Sequence, residues 1–325
     1  MNNTLDTSAH SCLVEFGSLN LPALIIDAGE KAQRRFVEFF TANIRNPNTR
    51  LAYARAVARF LDWCERRGVS LDAVGPTIVA AYIEQLQDLV STPTVKQHLA
   101  AIRVLFDWLV VGQVVPFNPA SSVRGPSYVV RKGKTPVLTA DDARALLDSI
   151  DVSTVLGLRD RALISVMVYS FARIGAAVDM RVEDYFQTGK RWHLRLHEKG
   201  GKLHEVPCHH NAEAYIDAYI EAAGIGAARK TPLFRSVNRL RHITENPMHR
   251  IDALRMIKRR SRDTGLPEST CCHTFRATGI TVYMENGGTI EKAQQIAAHE
   301  SPRTTKLYDR SSDKITLDEV ERILI

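Results

Sequence analysis

The fold is decided by the stretch from His273 to Tyr308, which contains the segments His273-Thr274-Phe275-Arg276, Ala297-Ala298-His299 and Thr304-Thr305-Lys306-Leu307-Tyr308. Two histidines, an arginine and a tyrosine fall within it, among segments whose patterns are typical of short helices. Two upstream residues extend the set: Arg173 after an apolar helical segment, and Lys199 beside a Gly-Gly turn. Together these residue types suit the attack of a tyrosine hydroxyl on a phosphodiester.

Such an attack requires fixed positive charge, because the scissile phosphate gains charge on its equatorial oxygens as the nucleophile arrives. Arginine suits this task, since its planar guanidinium binds two phosphate oxygens and stays ionised. A tyrosine can form the covalent intermediate, and a lysine or histidine can protonate the leaving sugar oxygen. These residues supply every part of the reaction, so we expect no metal and no other cofactor.

The segments around Arg173 and Lys199 resemble two motifs of the tyrosine recombinases, the family of phage integrases and Xer-type resolving enzymes. Arg173 stands in 171–174 (Phe-Ala-Arg-Ile), followed by 180–184 (Met-Arg-Val-Glu-Asp), which is similar to the family's first arginine box. Lys199 lies at the Gly-Gly turn where the family has its β-hairpin lysine. Lys202, on the other side of that turn, is the less favoured candidate.

The remaining motifs lie in the C-terminal quarter. His273 and Arg276 match the family's His-x-x-Arg box, and His299 precedes Tyr308 by the family's usual nine positions. One box alone recurs by chance, whereas five matches in the family's order form a specific signal. The resemblance covers residues 30–320.

The chain departs from the family's pattern at three places. Ala176 stands where an acid often follows the first arginine, Ala277 stands where histidine is frequent, and Ala297-Ala298 replaces the common Leu-Gly. None of these changes removes a core catalytic group. Ala176 does remove the acid that would orient Arg173, and an arginine without such a partner is less well fixed.

The resemblance implies a site-specific DNA recombinase, Xer-like or of the transposon type, that cleaves and rejoins DNA without ATP. It implies that Tyr308 forms a 3′-phosphotyrosyl link while Arg173 and Arg276 hold the phosphate oxygens. His273 and His299 would assist by hydrogen bonding and proton handling, and Lys199 would protonate the leaving oxygen. The implied partners are double-stranded DNA carrying a specific recombination site and a homo-tetramer formed on two such sites.

Two other functions use the same residues and stay open at this point. A tyrosine-type, IB-like topoisomerase would share the chemistry but would not exchange strands between partners. A catalytically inactive, sequence-specific DNA-binding protein would keep the fold without the reaction. The intact Tyr308 argues against the inactive protein, and Ala176 is the one hint in its favour.

Composition agrees with a protein that binds a polyanion. The 325 residues carry a net charge of +7, although by itself this indicates only a cationic surface. The five cysteines form no disulfide framework, which favours a reducing compartment. We find no apolar run of membrane-spanning length and no secretory signal, so we expect a cytoplasmic protein of a bacterial cytosol, a nucleoid or the host of a mobile element.

Segments rich in proline and glycine divide the chain into four parts. We expect a flexible leader at 1–29, an all-helical domain at 30–115, a basic linker at 116–136, and a mainly helical domain with a small β-hairpin at 137–325. The resemblance implies a mainly α fold in which a SAM-like core-binding domain and a tyrosine-recombinase catalytic domain form a two-domain, C-shaped clamp. No membrane partner is expected.

Basic side chains are expected to bind DNA on both domains and the linker. The clearest group lies on a helix around 250–262, where a major-groove position is favoured over an ordinary soluble surface. Met248, Ile251, Leu254 and Ile257 are expected to face inwards. The predicted DNA-binding residues are Arg50, Lys96, Arg103, Lys132, Lys134, Arg241, Arg250, Arg255, Lys258, Arg259 and Arg262, with His98 as a further contact.

Local patterns add predictions of helix caps and of the tail. Asn48 or Thr49 is expected to cap the helix after Pro47, and Asn211 is expected to cap the helix after the hairpin. The C-terminal segment 313–325 has apolar residues at near-helical spacing. Two interpretations are equally favoured: the tail helix packs on its own domain, or it docks in trans on a neighbouring protomer.

Overall fold

The computed structural model describes residues 21–129, 133–198, 200–309 and 320–321. Lys132, Lys199, most of the predicted leader and nearly all of the C-terminal tail lie outside these residues. The chain divides into two compact units, Met1–Val129 and Val130–Ile325, each with its own hydrophobic core. In the described ranges, no helix is long and apolar enough to cross a membrane.

The first unit is helical throughout its described secondary structure. Three of its helices have a proline in the first turn, which favours helix initiation there. Proline lacks an N–H, and an N–H at that position would have no hydrogen-bond partner within the helix. A π-helical turn, Phe39–Asn43, continues the second helix. The helices are α1 (Ala23–Asp27), α2 (Glu30–Glu38), α3 (Pro47–Glu65), α4 (Pro76–Gln87) and α5 (Thr92–Val111).

Two details of the first unit differ from the sequence predictions. Asn46 caps α3 by accepting from the backbone N–H groups of Asn48 and Thr49 at 3.0 and 3.2 Å, because the helix already begins at Pro47. His98 is buried, and its Nδ1 lies 3.0 Å from the hydroxyl of Tyr82. The predicted DNA contact of His98 was therefore wrong.

The second unit combines helices with two small antiparallel sheets, which confirms the predicted mainly α fold class. Its sheets have the orders β1-β2-β3 and β4-β5. A 3-10 turn, Val182–Asp184, precedes β1. The elements are α6 (Ala140–Asp148), α7 (Val155–Tyr169), α8 (Ile174–Val178), β1 (Tyr185–Thr188), β2 (Arg191–Glu198), β3 (Lys202–Pro207), α9 (His210–Ala223), β4 (Arg235–Val237), β5 (Ile243–Pro247), α10 (Arg250–Asp263), α11 (Cys272–Glu285), α12 (Ile290–Ile296) and α13 (Pro302–Lys306).

The predicted hairpin is present as β2 and β3, with Leu194 opposite Val206 and Glu198 opposite Lys202. Strand β1 and the β4–β5 hairpin were not predicted, because segments of three to five residues are too short to show a clear alternation. The cap of α9 is His209, whose Nδ1 accepts from the N–H of Asn211 at 3.2 Å. The prediction that Asn211 itself caps this helix was wrong.

Helix α7 is the buried centre of the second unit, as its apolar sequence predicts. Helix α11 crosses it so closely that a Cβ added at Gly279 would lie 2.0 Å from the carbonyl oxygen of Val168. Only glycine permits this approach. The close contact places His273 and Arg276, on the N-terminal half of α11, beside the segment that follows α7 and contains Arg173.

The inner face of α10 differs from the prediction. Ile251 and Leu254 are exposed, whereas Ala253, Met256, Ile257 and Ser261 are buried. The reason lies in Arg260, whose side chain points inwards to the buried carboxylate of Asp160. A prediction from apolar residues alone places Arg260 on the outer surface. The predicted inner face of α10 is therefore rotated away from the observed one.

Candidate active site

Four short segments of the second unit carry the predicted catalytic side chains. Arg173 is the N-cap residue of α8, and His273 and Arg276 lie on the first turns of α11. His299 follows the end of α12, and Tyr308 follows α13. The structure brings these five side chains together, whereas Lys199 lies outside the described residues.

Tyr308 is the centre of the site. Its hydroxyl lies 2.7 Å from Nε2 of His273, within hydrogen-bond distance. Its ring is stacked nearly parallel to that of His299, with the two centroids 5.9 Å apart. The hydroxyl of Thr281 donates to the Tyr308 carbonyl at 3.0 Å and so fixes the backbone. The phenol is thus held in place from both its ring and its main chain.

Arg276 is fully buried, and its orientation is set by the backbone. One terminal nitrogen donates to the carbonyl of Phe171, and the other donates to the carbonyl of Ala297 at 2.7 Å. Its Nε is also buried and makes no hydrogen bond of standard geometry within the described residues, although the guanidinium lies close enough to the Tyr308 phenol to interact with it. A buried donor left without a partner is costly, so this nitrogen is suited to an incoming anionic ligand.

The backbone around Arg276 adopts strained conformations at two places. Phe171 and Ala298 have positive φ angles of 53° and 47°, in the left-handed region that residues other than glycine rarely adopt. Ala298 closes α12: its N–H donates to the carbonyl of Gln295, and the N–H of His299 donates to the carbonyl of Gln294. This pair of bonds is the Schellman motif, whose left-handed position favours glycine. Strain of this kind often accompanies functional sites.

Positive charge and burial set the protonation of the site. Burial lowers the pKa of Arg276 to about 10, helped by the charge of Arg173, so its guanidinium is still ionised at neutral pH. The pKa of Tyr308 is raised by burial, although the charges of Arg276 and Arg173 oppose this effect. The phenol is therefore protonated at neutral pH and requires a base to attack.

Both histidines of the site are neutral at neutral pH. Burial, followed by the charges of Arg276 and Arg173, lowers the pKa of His299 to about 3. Its Nδ1 lies 2.9 Å from the hydroxyl of Thr305. The residue His273 is exposed at the surface, and its pKa is also lowered, first by desolvation and then by the charges of Arg276 and Arg173. A neutral His273 can accept the proton of Tyr308.

Arg173 forms an ion pair with Glu198, the last residue of β2. The Arg173 side chain is 39% exposed, whereas that of Glu198 is 4% exposed. Glu198 was not predicted from the sequence, although one signal was available. The alternation Trp192, Leu194, Leu196 continues to position 198 and so places an acid on the inner face of the strand.

The predicted DNA-binding residues fall into two groups. Exposed side chains are those of Lys96, Lys134, Arg241, Arg250, Arg255, Arg259 and Arg262. Partly buried ones are those of Arg50, Arg103 and Lys258, while Lys132 lies outside the described residues. The guanidinium of Arg103 donates to the carbonyls of Ala120 and Val123, so it is better explained as an internal tether than as a DNA contact.

The basic helix α10 is anchored through a buried carboxylate. Asp160 is fully buried on α7 and pairs with Arg159 at 2.8 Å, Arg260 at 2.9 Å and Arg259 at 3.3 Å. Arg260 and Arg259 lie on α10, so the ion pairs join the two helices. Arg255 pairs with Asp252 on the exposed surface of the same helix.

Two cysteines, Cys208 and Cys272, take no part in the chemistry of this site. Cys208 and Cys272 are half-buried and buried, and burial raises their pKa values to about 12 and about 11. Both thiols are protonated at neutral pH, as expected of structural cysteines rather than of nucleophiles or metal ligands.

Two family models match the chain. The model described as Phage integrase family matches residues 136–314. The model described as Phage integrase, N-terminal SAM-like domain, matches residues 34–114. The chain belongs to the phage integrase family. The resemblance expected from Arg173 and the His-x-x-Arg box is confirmed.

Curated relatives and solved structures agree with this assignment. Tyrosine recombinase XerD of Listeria monocytogenes is 25% identical over 95% of this chain and 94% of that protein. Tyrosine recombinase XerC of Chlamydia muridarum is 29% identical over 72% of this chain and 71% of that protein. The chain is a tyrosine site-specific recombinase, and neither the topoisomerase nor the inactive DNA-binding protein is favoured.

The fold also matches solved recombinase structures. XerH site-specific recombinase bound to a palindromic difH substrate has a TM-score of 0.67 and 17% identity, over 80% of this chain and 75% of that one. A lambda integrase dimer bound to a COC′ core site has a TM-score of 0.65 and 18% identity, over 87% and 79%. These similarities support the fold.

The neutral, buried state of His299 predicts a pH-dependent loss of stability. Its pKa is about 3 in the folded chain and about 6.5 in an unfolded chain, so between these values only the unfolded state binds the proton. The stabilisation is therefore complete above pH 6.5 and is lost as the pH falls towards 3. Between pH 7.5 and 5, the wild type should lose about 2 kcal/mol more unfolding free energy than His299→Gln.

Denaturant titration of both proteins across this pH range measures the difference. Equal slopes for wild type and His299→Gln would contradict the assignment of a neutral, buried imidazole.

Proposed function

We propose that the chain cleaves and rejoins DNA through a covalent bond between Tyr308 and a 3′-phosphate. The observation that carries this proposal is the 2.7 Å contact between the Tyr308 hydroxyl and Nε2 of His273, beside the buried guanidinium of Arg276. A nucleophile within hydrogen-bond distance of a neutral base, next to fixed positive charge, is the arrangement that phosphoryl transfer requires.

Cleavage is one displacement at phosphorus, and strand exchange is a second. The Tyr308 oxygen bonds to phosphorus as His273 takes the phenolic proton, and the bond from phosphorus to the 5′ oxygen breaks. Lys199 supplies the proton for the departing 5′-hydroxyl. A 5′-hydroxyl from a partner strand then attacks the phosphotyrosine and gives its proton to Lys199, the bond from phosphorus to the Tyr308 oxygen breaks, and His273 returns the proton to the phenol.

The two arginines hold the phosphate in different ways. Arg276 offers the Nε of a buried guanidinium that two carbonyls fix beside the Tyr308 phenol. Arg173 is partly exposed and can present its remaining donors to a second oxygen. Neutral His299 completes the site as a hydrogen-bonding group. Because the covalent link conserves the bond energy, the exchange requires no ATP.

DNA binding extends over the exposed cations of both units. The proposed contacts in the second unit lie on α10, whose solvent-facing side carries Arg250, Arg255, Arg259 and Arg262. The buried Asp160 fixes this helix on α7, so its outer face forms a rigid, cationic surface. Lys96, Lys132, Lys134 and Arg241 add phosphate contacts. We place the reaction in a bacterial cytosol, where the DNA is accessible.

Assembly is proposed as a homo-tetramer on two DNA sites, linked by C-terminal tails that dock in trans. The second unit has a cavity of about 690 Å³ that can accept the apolar side of such a tail. Its lining includes Leu147, Val168, Phe171 and Val282. The tail sequence has matching apolar residues at helical spacing, at Ile315, Leu317, Val320, Ile323 and Leu324.

Covalent capture tests the nucleophile. Wild-type protein is incubated in EDTA with nicked duplexes of randomised central sequence, and DNA that stays attached after denaturation is recovered and sequenced. We expect adducts with the wild type and none with Tyr308→Phe, which lacks the attacking oxygen. Tyr215→Phe is the matched control, because its ring keeps the contact with Arg161 and lies outside the proposed reaction. Adducts that persist in Tyr308→Phe would contradict the proposal.

Assembly on a two-site duplex tests the tail. The variant Leu317→Glu, Val320→Glu should bind a single site normally but lose the complex that joins two sites, since charges on the apolar side prevent docking. Glu319→Gln is the control for a change on the polar side. Native gels with one-site and two-site DNA separate the outcomes. Normal two-site assembly with a lowered melting temperature would indicate instead that the tail packs on its own protomer.

A further inference from the structure

Glu198 occupies a position where a charged side chain is unexpected. It is the last residue of β2, on the same inner face as Leu194 and Leu196, and its side chain is 4% exposed. An ionised carboxylate is costly to bury unless a positive partner and hydrogen bonds compensate for the lost hydration. The strand therefore holds an acid that requires a specific cation.

That cation is Arg173. One terminal nitrogen of its guanidinium donates to Oε2 of Glu198, across 25 positions of sequence. Arg173 is the N-cap residue of α8, and its backbone is extended with φ −72° and ψ 145°. The ion pair thus connects the start of α8 to the end of β2, and with it to the turn that follows.

The two arginines of the site are held by different kinds of acceptor. Arg276 is fully buried and is fixed by the carbonyls of Phe171 and Ala297. Arg173 is 39% exposed, and within the described residues its guanidinium pairs with Glu198. A partly exposed arginine has many rotamers, so one charged acceptor at its inner edge restricts it far more than solvent does.

Position 176, from which an acid would reach Arg173 in the family's usual pattern, cannot provide this contact here. Ala176 ends in a methyl group and is itself packed in the core of the second unit. Arg173 still has an acidic partner, but this partner is Glu198 on β2 and not a residue of α8.

We propose that Glu198 is the positioning residue of Arg173 and holds its guanidinium towards the scissile phosphate. This inference rests on the proposed role of Arg173 in binding that phosphate. Glu198 acts through Arg173 and does not contact the reacting atoms. Lys199, the proposed general acid, follows Glu198 directly in the sequence. The ion pair therefore also connects the end of β2, next to Lys199, with the phosphate-binding Arg173.

Single-turnover adduct formation on a nicked duplex tests the proposal. Glu198→Ala should slow the adduct step by roughly tenfold or more, as removal of a supporting partner commonly does. Glu198→Gln keeps one acceptor oxygen of the same shape, so its rate should fall between those of Glu198→Ala and the wild type. The dissociation constant for DNA should change by less than about twofold, because an orientation effect acts on the reaction step.

Glu205→Gln is the matched control. Glu205 lies on β3 of the same sheet and forms an ion pair with Arg195, so the substitution removes a carboxylate that does not pair with Arg173. We expect this variant to react at the wild-type rate. Circular dichroism and melting temperature of each variant identify any that fails to fold, and Glu198→Gln, which preserves side-chain shape, is then the deciding variant.

A double-mutant cycle distinguishes positioning from a general structural role. If Glu198 acts through Arg173, the double variant Arg173→Ala, Glu198→Ala should react no more slowly than Arg173→Ala. Additive losses, or a wild-type rate for Glu198→Ala, would overturn the inference. A wild-type rate for Arg173→Ala would instead contradict the proposed function, so the two failures are distinguishable.

Discussion

The site depends on one buried guanidinium and the two carbonyls that hold it. Arg276 joins the end of α7, through the carbonyl of Phe171, to the end of α12, through the carbonyl of Ala297. These hydrogen bonds are charge-assisted and shielded from water, which makes them strong and directional. Because both acceptors are backbone atoms, the geometry of the arginine is set by the paths of the two helices.

The surrounding chain is built to permit this contact. Gly279 lets α11 approach α7, and the left-handed conformations of Phe171 and Ala298 flank the carbonyls that Arg276 uses. Burial, followed by the charges of Arg276 and Arg173, lowers the pKa values of His273 and His299, so both imidazoles are neutral at neutral pH. The same two charges partly offset the burial that raises the pKa of Tyr308. Burial and two fixed guanidinium charges thus set the protonation of the base and the nucleophile before any substrate arrives.

The sequence was sufficient for the reactive side chains but not for what holds them. Arg276 and Tyr308 lie in segments whose spacing is specific, so their presence in one site was predictable. Glu198 was missed because strand alternation gives the face of a residue but not its distant partner. The face of α10 was misassigned because Arg260 is paired with the buried Asp160, a contact between residues 100 positions apart. Long-range pairing of charges is invisible to local periodicity.

The central claim is that Tyr308 itself becomes bonded to DNA through its phenolic oxygen. Mass spectrometry of the trypsin-digested adduct tests it most directly, because cleavage after Lys306 and Arg310 releases the peptide 307–310. We expect this peptide to carry nucleotides through a 3′-phosphate and the released strand to have a free 5′-hydroxyl. Nucleotides on a peptide from another part of the chain, or a 5′-phosphate link, would contradict it.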